Sequence, residues 1–464
     1  MTKNFDLMVV GSGPGGYAAA IRAAQLGFKT ALIEKDELGG VCLNWGCIPT
    51  KALLRGAEVA HTLRTAKQFG FSLQGVEFDL AQLVEHSRQV SKKLNLGVAQ
   101  MLKKNNVTVI NGNACVSGKC ELIVDCQGDQ ATYQTDHIII ATGARARTLP
   151  NLPSDNSLIW GASEAMMPNS LPGRVLIIGA GAIGVEFASL YSDLGSDVTL
   201  IEEQDRILPV EDEEISELLR QTFIDRNISV KTGSRLESAH IKSGEVTATL
   251  TDRRSGITQI VADRIIVAVG VTGNIEGLGL EKLGVNLERG FIKTDRFGAT
   301  NVVGLYAVGD VAGPPWLAHK ASYEAVSCVN RIAGKGEDPL SQDNIPRCTY
   351  CRPQVASLGM AESAAIKKGY KVRVGRSGFK TNGKALGISD SEGLIKTIFD
   401  AGSGELLGAH MIGPEVTEQI QGFGIAKLLE ATEAELMNSI FPHPTLSEAM
   451  HESVVNAIGK VNPS

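Results

Sequence analysis

The chain lacks the marks of several protein classes. In its 464 residues no uninterrupted apolar run reaches the ~20 residues that a membrane-spanning helix needs. There is no basic stripe to attract nucleic acid, and the net charge is −6. The first residues, Met1-Thr2-Lys3-Asn4-Phe5-Asp6, run straight into a strand pattern and leave no room for a signal or transit peptide. A cytoplasmic protein, or a processed form that began elsewhere, is expected. Without a leader, the eight cysteines are not expected to form a structural disulfide framework. What the chain does have is 43% apolar and 21% charged residues, enough for two to four soluble domains. Its 51 glycines tend to gather in short turns after apolar runs, the usage of nucleotide-binding loops.

Two segments are copies of one device. Phe5-Asp6-Leu7-Met8-Val9-Val10 reads as a buried strand, followed by Gly11-Ser12-Gly13-Pro14-Gly15-Gly16 and a helical run through Gln25. The strand Thr30-Ala31-Leu32-Ile33 then ends at Glu34. Further on, Val175-Leu176-Ile177-Ile178 leads into Gly179-Ala180-Gly181-Ala182-Ile183-Gly184 and a helical run to Asp193, and Val198-Thr199-Leu200-Ile201 ends at Glu202. From first glycine to acid is 34 − 11 = 23 residues in one copy and 202 − 179 = 23 in the other. In such a device Gly11 or Gly179 makes the turn, and Gly13 or Gly181 lets the backbone approach a pyrophosphate. Gly16 or Gly184 lets helix pack on strand, and the acid accepts hydrogen bonds from ribose hydroxyls. Each copy is followed by another apolar strand ending in glycine: Asp136 through Thr142 and Gly143, and Asp263 through Val269 and Gly270. Two complete sites imply two different dinucleotides, with electrons passing between them.

Gly334 to Ser341 reads as a boundary. Beyond it, short strands such as Gln354-Val355-Ala356-Ser357-Leu358-Gly359 and closing helices read as an α+β domain of a different style.

Just after the first device comes Gly39-Gly40-Val41-Cys42-Leu43-Asn44-Trp45-Gly46-Cys47-Ile48-Pro49-Thr50-Lys51. In a regular helix a C-x4-C pair stands ~8–9 Å apart at Cα, too far for a disulfide. A disulfide here therefore requires a distorted helix, which Gly46 permits. Pro49 is tolerated near a helix start, which puts Cys47 at the N-terminal end of the following helix, where the dipole favours a thiolate. A second pair, Cys348-Thr349-Tyr350-Cys351, reads as a strand between Pro346 and Pro353, with the two thiols on opposite faces and no partners for a metal. No metal site is expected. Near the C-terminus, His443 and Glu448 fit a base and its orienting carboxylate. Thr445-x-x-Glu448 fits equally well a capping box for a helix beginning near Leu446.

The segment Gly39 to Leu54 closely resembles the redox motif of the class I pyridine nucleotide–disulfide oxidoreductases. The resemblance continues through Ala141-Thr142-Gly143, Gly179 to Glu186, Leu305 to Asp310, Leu317 to Ala321 and His443 to Glu448, so it spans the chain. It implies an α/β protein with two Rossmann-like dinucleotide-binding domains and a C-terminal α+β dimerisation domain. The expected division is an FAD-binding domain at 1–150, an NAD-binding domain at 151–275, a central domain at 276–345 completing the FAD site, and a dimerisation domain at 346–464. By similarity Glu34 serves the FAD ribose, Asp310 the ribityl chain, and Ala318 lies near the flavin. Glu202 serves the NAD ribose. Its carboxylate would repel the 2′-phosphate of NADP, and the neighbouring Glu203-Gln204-Asp205 is acidic, with Arg206 the only nearby cation.

The same resemblance makes Cys42 the thiol that exchanges with substrate, Cys47 the thiol facing the flavin, and Lys51, paired with Glu186, a cation approaching the flavin. It makes His443 the acid–base of the partner subunit's site, and hence implies a homodimer. The branch it resembles most closely oxidises protein-bound dihydrolipoamide with NAD, serving a 2-oxoacid dehydrogenase or glycine cleavage complex. The expected partner is therefore a lipoyl-bearing acyltransferase or carrier protein, with no nucleic acid and no membrane. The alternatives are a reductase of another disulfide substrate and a flavoprotein redox sensor. Relatives with C-terminal redox cysteines are set aside, since the chain ends Val461-Asn462-Pro463-Ser464. Two positions depart from the common pattern: Phe441 stands where many relatives have histidine, and Gln354 where many have glutamate.

Overall fold

A computed structural model of the chain describes residues 3–150, 152, 157–242, 244–253, 256–336 and 341–459. Residues 337–340 of the expected boundary, and the terminal stretch 460–464, lie outside the described residues. Among the described residues no helix is long and apolar enough to cross a membrane.

The first sheet is parallel where it meets the glycine-rich loop. Its strands run in the order Thr108–Asn111, Thr30–Glu34, Lys3–Val10, Asp129–Ile140. The hairpin partners Glu121–Cys126 and Asn113–Gly118 extend it antiparallel. The later strand Leu305–Ala307 joins in parallel beside Ile138–Ile140, so the segment after residue 275 completes this sheet. Leu278, Leu280, Val285 and Ile292 pack into the same core as Met8, Ile33 and Ile138. Parallel strands are covered on both faces, which is why they read as unbroken apolar runs. Leu7, Met8 and Val9 are fully buried.

The second sheet repeats the pattern: Ser229–Thr232, Asp197–Glu202, Arg174–Ile178, Arg264–Val267 and Ile159–Trp160, all parallel. An antiparallel meander of Ser234–Lys242, Glu245–Asp252 and Gly256–Ala262 stands beside it. The C-terminal sheet is antiparallel, in the order Arg347–Thr349, Gln354–Gly359, Leu406–Gly413, Leu394–Asp400, Val372–Gly378. The helices Val416–Leu428 and Glu448–Ala457 share its core.

The helix Ala182–Leu194 sits where these parts meet. Every residue from Gly184 to Tyr191 is buried, as is Asp193. Its Phe187, Leu190 and Tyr191 share one core with Leu53 and Ala57 of the cysteine-bearing helix and with Cys351, Val355 and Ile412 of the C-terminal region. Each such large side chain contributes about 1.5–3 kcal/mol of burial.

A second junction is ionic. Lys396, 3% exposed, meets Asp212 (2.9 Å), Glu214 (3.1 Å) and Glu362 (2.8 Å). It ties the start of the helix Glu213–Asp225 to the C-terminal sheet. Burial pushes both carboxyls up, but Lys396, His410 and the Glu362 N–H hold Asp212 below its ordinary range, and Arg376 with Lys396 does the same for Glu214. Removing the cation leaves the buried Asp212 carboxylate without its ion pair. Lys396→Met is therefore expected to lower stability by about 3–5 kcal/mol, read as a fall in the urea midpoint. Carboxyls with lowered values stabilise above their ordinary titration range and lose that contribution as pH falls through the lowered values. The gap between Lys396→Met and the parent chain should accordingly narrow at acid pH.

Candidate active site

The two glycine loops are built alike down to single hydrogen bonds. Gly11 N–H donates to Ile33 O at 2.8 Å and Gly179 N–H to Ile201 O at 2.9 Å. A Cβ on Gly11 would stand 2.4 Å from Ala141 O, and one on Gly179 2.4 Å from Ala268 O. A Cβ on Gly16 would meet Gly11 O at 1.9 Å, and one on Gly184 would meet Gly179 O at 1.9 Å. The middle glycines differ: a Cβ on Gly13 or Gly181 would meet nothing within 4 Å. The outer glycines are required by the protein's own backbone, while the middle ones border open space at a helix N-terminus. That arrangement fits a dinucleotide pyrophosphate.

The strand-end acids are equally matched. Glu34 Oε2 accepts from Ser12 N–H (2.8 Å) and hydroxyl (2.6 Å), and Glu202 Oε2 accepts from Ala180 N–H (2.8 Å). Each carboxylate thus orients the first turn of its own loop before any ribose is considered. Around Glu202 the cations are already paired: Arg206 with Glu213 at 3.2 Å, and Arg253 with Asp205 at 2.8 Å. Arg253 is brought in from another strand connection and could not be placed there from sequence order. Thr142 and Asn274 exchange hydrogen bonds, Oγ1 to Asn274 O at 2.7 Å and Nδ2 to Thr142 O at 2.8 Å, where the two sheets approach. Gly143 and Gly270 both adopt positive φ, at 69° and 96°.

The cysteine segment breaks as its spacing requires. A short helix Gly40–Trp45 ends at Gly46, and the helix Cys47–Thr65 begins immediately after it. Gly46 (φ −155°, ψ −114°) brings the Cα atoms of Cys42 and Cys47 to 4.7 Å, and the two form a disulfide. Cys47 is the first residue of its helix, so a thiolate there faces the positive end of the dipole. The long helix Leu80–Lys104 holds this segment in place. Arg88 donates to Asn44 O and lies 4.2 Å over the Trp45 ring, and Asn95 donates to Asn44 Oδ1 at 2.6 Å.

One turn into the redox helix, Lys51 Nζ meets both oxygens of Glu186, at 2.9 and 2.8 Å. Glu186 is 6% exposed, so its charge is paid for by this pair and by the Tyr350 N–H, which donates to Oε1 at 2.9 Å. Asp310 lies in a 3-10 turn ahead of the helix Ala318–Ile332, with Ala318 that helix's first residue. Burial pushes the Asp310 carboxyl up to about 6, while Lys320 pulls it the other way. Two surface clefts, of about 780 Å³ beside Lys320 and Glu324 and about 500 Å³ beside Trp45 and Trp160, are not lined by either redox cysteine.

At the far end of the chain His443 Nδ1 bonds Glu448 Oε1 at 2.8 Å, while Glu448 Oε2 accepts from Thr445 N–H at 2.9 Å. One carboxylate therefore serves both expected roles. The capping box is only half formed: Thr445 Oγ1 donates to Pro442 O, and the helix starts at Glu448 rather than near Leu446. The Thr445 N–H first, and His443 after it, hold the Glu448 carboxyl below its ordinary range against slight burial. The His443 side chain is 79% exposed, far from Cys42 in the chain and open to a second molecule. Phe441 turns inward, its ring 5.2 Å from that of His451, and Gln354 Oε1 accepts from the Thr417 hydroxyl at 2.7 Å.

The pair Cys348/Cys351 corrects one expectation. The strand covers only Arg347–Thr349, and Cys351 lies beyond it. Both remain free thiols, near different carbonyls. Burial pushes the Cys348 thiol up to about 11 and Cys351 higher still. Sequence reasoning missed Tyr350, Arg352, Asp193, Arg88 and Asn95, whose contacts span long separations; the pattern Tyr350-x-Arg352 before Pro353 was the only local signal.

Known proteins agree with this construction. Residues 5–325 match the family described as pyridine nucleotide-disulphide oxidoreductase, and residues 345–454 match its dimerisation domain. The chain belongs to the pyridine nucleotide-disulphide oxidoreductase family. It is 49% identical to a dihydrolipoyl dehydrogenase of Rhizobium etli, and 50% identical to one of Zymomonas mobilis, over 99% of each chain in both cases. LpdA from Mycobacterium tuberculosis superposes with a TM-score of 0.90 at 25% identity, covering 97% of this chain and 99% of that one.

The glycines give a paired test. Gly184→Ala should unfold or strongly destabilise the second nucleotide domain, because the Cβ has no room. Gly181→Ala should leave thermal unfolding unchanged yet weaken NADH binding about tenfold or more by calorimetry, ~1.4 kcal/mol. Equal effects from both would show that Gly181 does not border the nucleotide.

Proposed function

We propose that the chain oxidises protein-bound dihydrolipoamide to lipoamide and reduces NAD+ to NADH, as the shared dehydrogenase of a 2-oxoacid dehydrogenase or glycine cleavage complex. The observation that carries this reading is the Cys42–Cys47 disulfide at a helix N-terminus, one turn ahead of the Lys51–Glu186 pair. FAD would be held by the first loop with Glu34, by Thr142, Gly143, Asp310, Ala318 and Lys51, and NAD by the second loop with Glu202 and Gly270. The acidic, already paired surroundings of Glu202 support NAD over NADP.

In the thiol half of the reaction, His443 of the partner subunit takes the proton of a substrate thiol. The thiolate attacks Cys42 Sγ, the Cys42–Cys47 bond breaks, and Cys47 leaves as a thiolate favoured by its helix dipole. The second substrate thiol then displaces Cys42 and closes the substrate disulfide. FAD, when bound, carries the two electrons of the Cys42/Cys47 dithiol on to the nicotinamide. Glu448 fixes the His443 tautomer through Nδ1 and leaves Nε2 for the proton.

A homodimer is supported by the exposed His443 and by the exposed apolar side chains Ile425, Leu428, Leu429 and Ile440 of the C-terminal domain. We divide the chain into domains at 1–150, 151–275, 276–345 and 346–464, and assign it to the cytoplasm with a lipoyl-bearing acyltransferase or carrier protein as partner.

Purified protein should reduce NAD with dihydrolipoamide, and neither NADP nor reduced glutathione should substitute. Bound FAD without that turnover would overturn the substrate assignment. His443→Gln should lower kcat by roughly 10²–10⁴-fold, the span of a lost general base. Cys42→Ser and His443→Gln proteins, each severely impaired alone, should regain activity when unfolded and refolded together. No recovery in mixed dimers would place His443 in its own subunit's site.

A further inference from the structure

The segment around the non-redox pair Cys348/Cys351 is fastened along one face of the helix Ala182–Leu194. Tyr350 N–H donates to Glu186 Oε1 at 2.9 Å, and Arg352 N–H donates to Ser189 Oγ at 2.9 Å. The Arg352 guanidinium meets Asp193 at 3.1 and 2.7 Å. Residues 186, 189 and 193 follow the helical repeat, so three successive anchors set the segment's height against the helix. This places the Tyr350 ring against Lys51, whose Nζ stands 4.6 Å from the ring centroid, inside the ~6 Å range of a cation–π contact.

Lys51 therefore has two neighbours, not one. Glu186 alone would hold a flexible, one-third exposed lysine by a single carboxylate. We propose that Tyr350 is a positioning residue of the active site, holding the Lys51 ammonium by its ring face while its N–H fixes the Glu186 carboxylate that Lys51 binds. The ring acts as a neutral face: burial, and then Cys348 and the acids Glu418 and Glu186, push the Tyr350 hydroxyl up to about 12. Cys348, likewise kept neutral, supplies the neighbour of that hydroxyl rather than a redox group. The inference rests on the reading that Lys51 faces the flavin.

The FAD-loaded dimer tests it. Tyr350→Phe keeps the face, while Tyr350→Leu and Tyr350→Met remove it and keep the backbone N–H. Each is reduced anaerobically with dithiothreitol, following the long-wavelength absorption of a thiolate beside oxidised flavin and the flavin midpoint potential. Tyr350→Phe should match the parent chain. Tyr350→Leu and Tyr350→Met should lower the potential and slow flavin reduction about two- to fivefold, the range a cation–π contact of this exposure carries. Met stands in should Leu fail to bind FAD. Equal behaviour of Phe and the aliphatic variants, or no change in any, overturns the proposal. Lys51→Met is the reference. If it leaves spectrum and potential unchanged, the placement of Lys51 at the flavin fails as well; if it shifts them while Tyr350→Leu does not, only the role of Tyr350 fails.

Discussion

The arrangement depends on carboxylates buried in the helix Ala182–Leu194. Glu186 and Asp193 are 6% and 5% exposed, on an element otherwise packed in apolar side chains. A buried carboxylate is costly unless it is paired and hydrogen-bonded. Each must therefore collect cations and N–H donors, and those come from different parts of the chain. Lys51 and Arg64 arrive from the redox helix, Arg226 from the end of the helix Glu213–Asp225, and Tyr350 and Arg352 from the C-terminal sheet. Burial pushes the Asp193 carboxyl up, but Arg352 and Arg226 outweigh it and hold the group below its ordinary range, so it stays charged. Meeting the needs of two acids thus fixes the redox helix, the second nucleotide domain and the last sheet in one geometry.

The two glycine loops show how a duplicated device is given two occupants. Their backbone bonds are the same, and so are the demands on their outer glycines. What differs is the surroundings. The first loop is flanked by the helix Ala318–Ile332, whose Ser322 hydroxyl donates to Pro14 O at 3.3 Å, and the strand Leu305–Ala307 joins its sheet. Among the described residues the second has no such addition, and it opens beside acids whose nearby arginines are paired. The disulfide segment is fastened to the first loop: Gly39 N–H donates to both Ser12 O and the Ser12 hydroxyl oxygen, each at 3.1 Å. The disulfide segment is thereby tied to the first loop, while Lys51, one turn further on, reaches the helix of the second device through Glu186.

Which parts were legible in the sequence follows from the range of the forces involved. Gly11, Gly16, Gly179 and Gly184 could be read directly, because a Cβ clash with backbone five residues away, or with the end of the adjacent strand, is a demand of the motif itself. The break at Gly46 was legible for the same reason: C-x4-C and a regular helix are geometrically incompatible. His443 and Glu448 were legible as a pair, but their two competing roles proved to share one carboxylate, one oxygen each, which no spacing rule distinguishes. Tyr350, Arg352 and Asp193 were not legible. Their contacts join residues 159 to 164 positions apart, and only the packing of the last sheet on the central helix brings them together.

The exposed histidine gives this fold its remaining constraint. A general base must reach the proton it takes within hydrogen-bond distance, directly or through one water. His443 instead projects from the surface, fixed by Glu448 on one ring nitrogen and with the other free to act. An oriented but solvent-facing base is of no use to its own chain unless something brings a thiol to it. The apolar side chains exposed on the same domain, Leu428, Leu429 and Ile440 among them, provide a driving force for covering them with a second copy. On the function proposed above, a two-fold pairing would serve both needs with one operation, burying the apolar surface and delivering each base to the other chain's Cys42. On that same proposal, loss of the dimer would remove the proton acceptor from an otherwise intact disulfide site and so link thiol exchange to assembly.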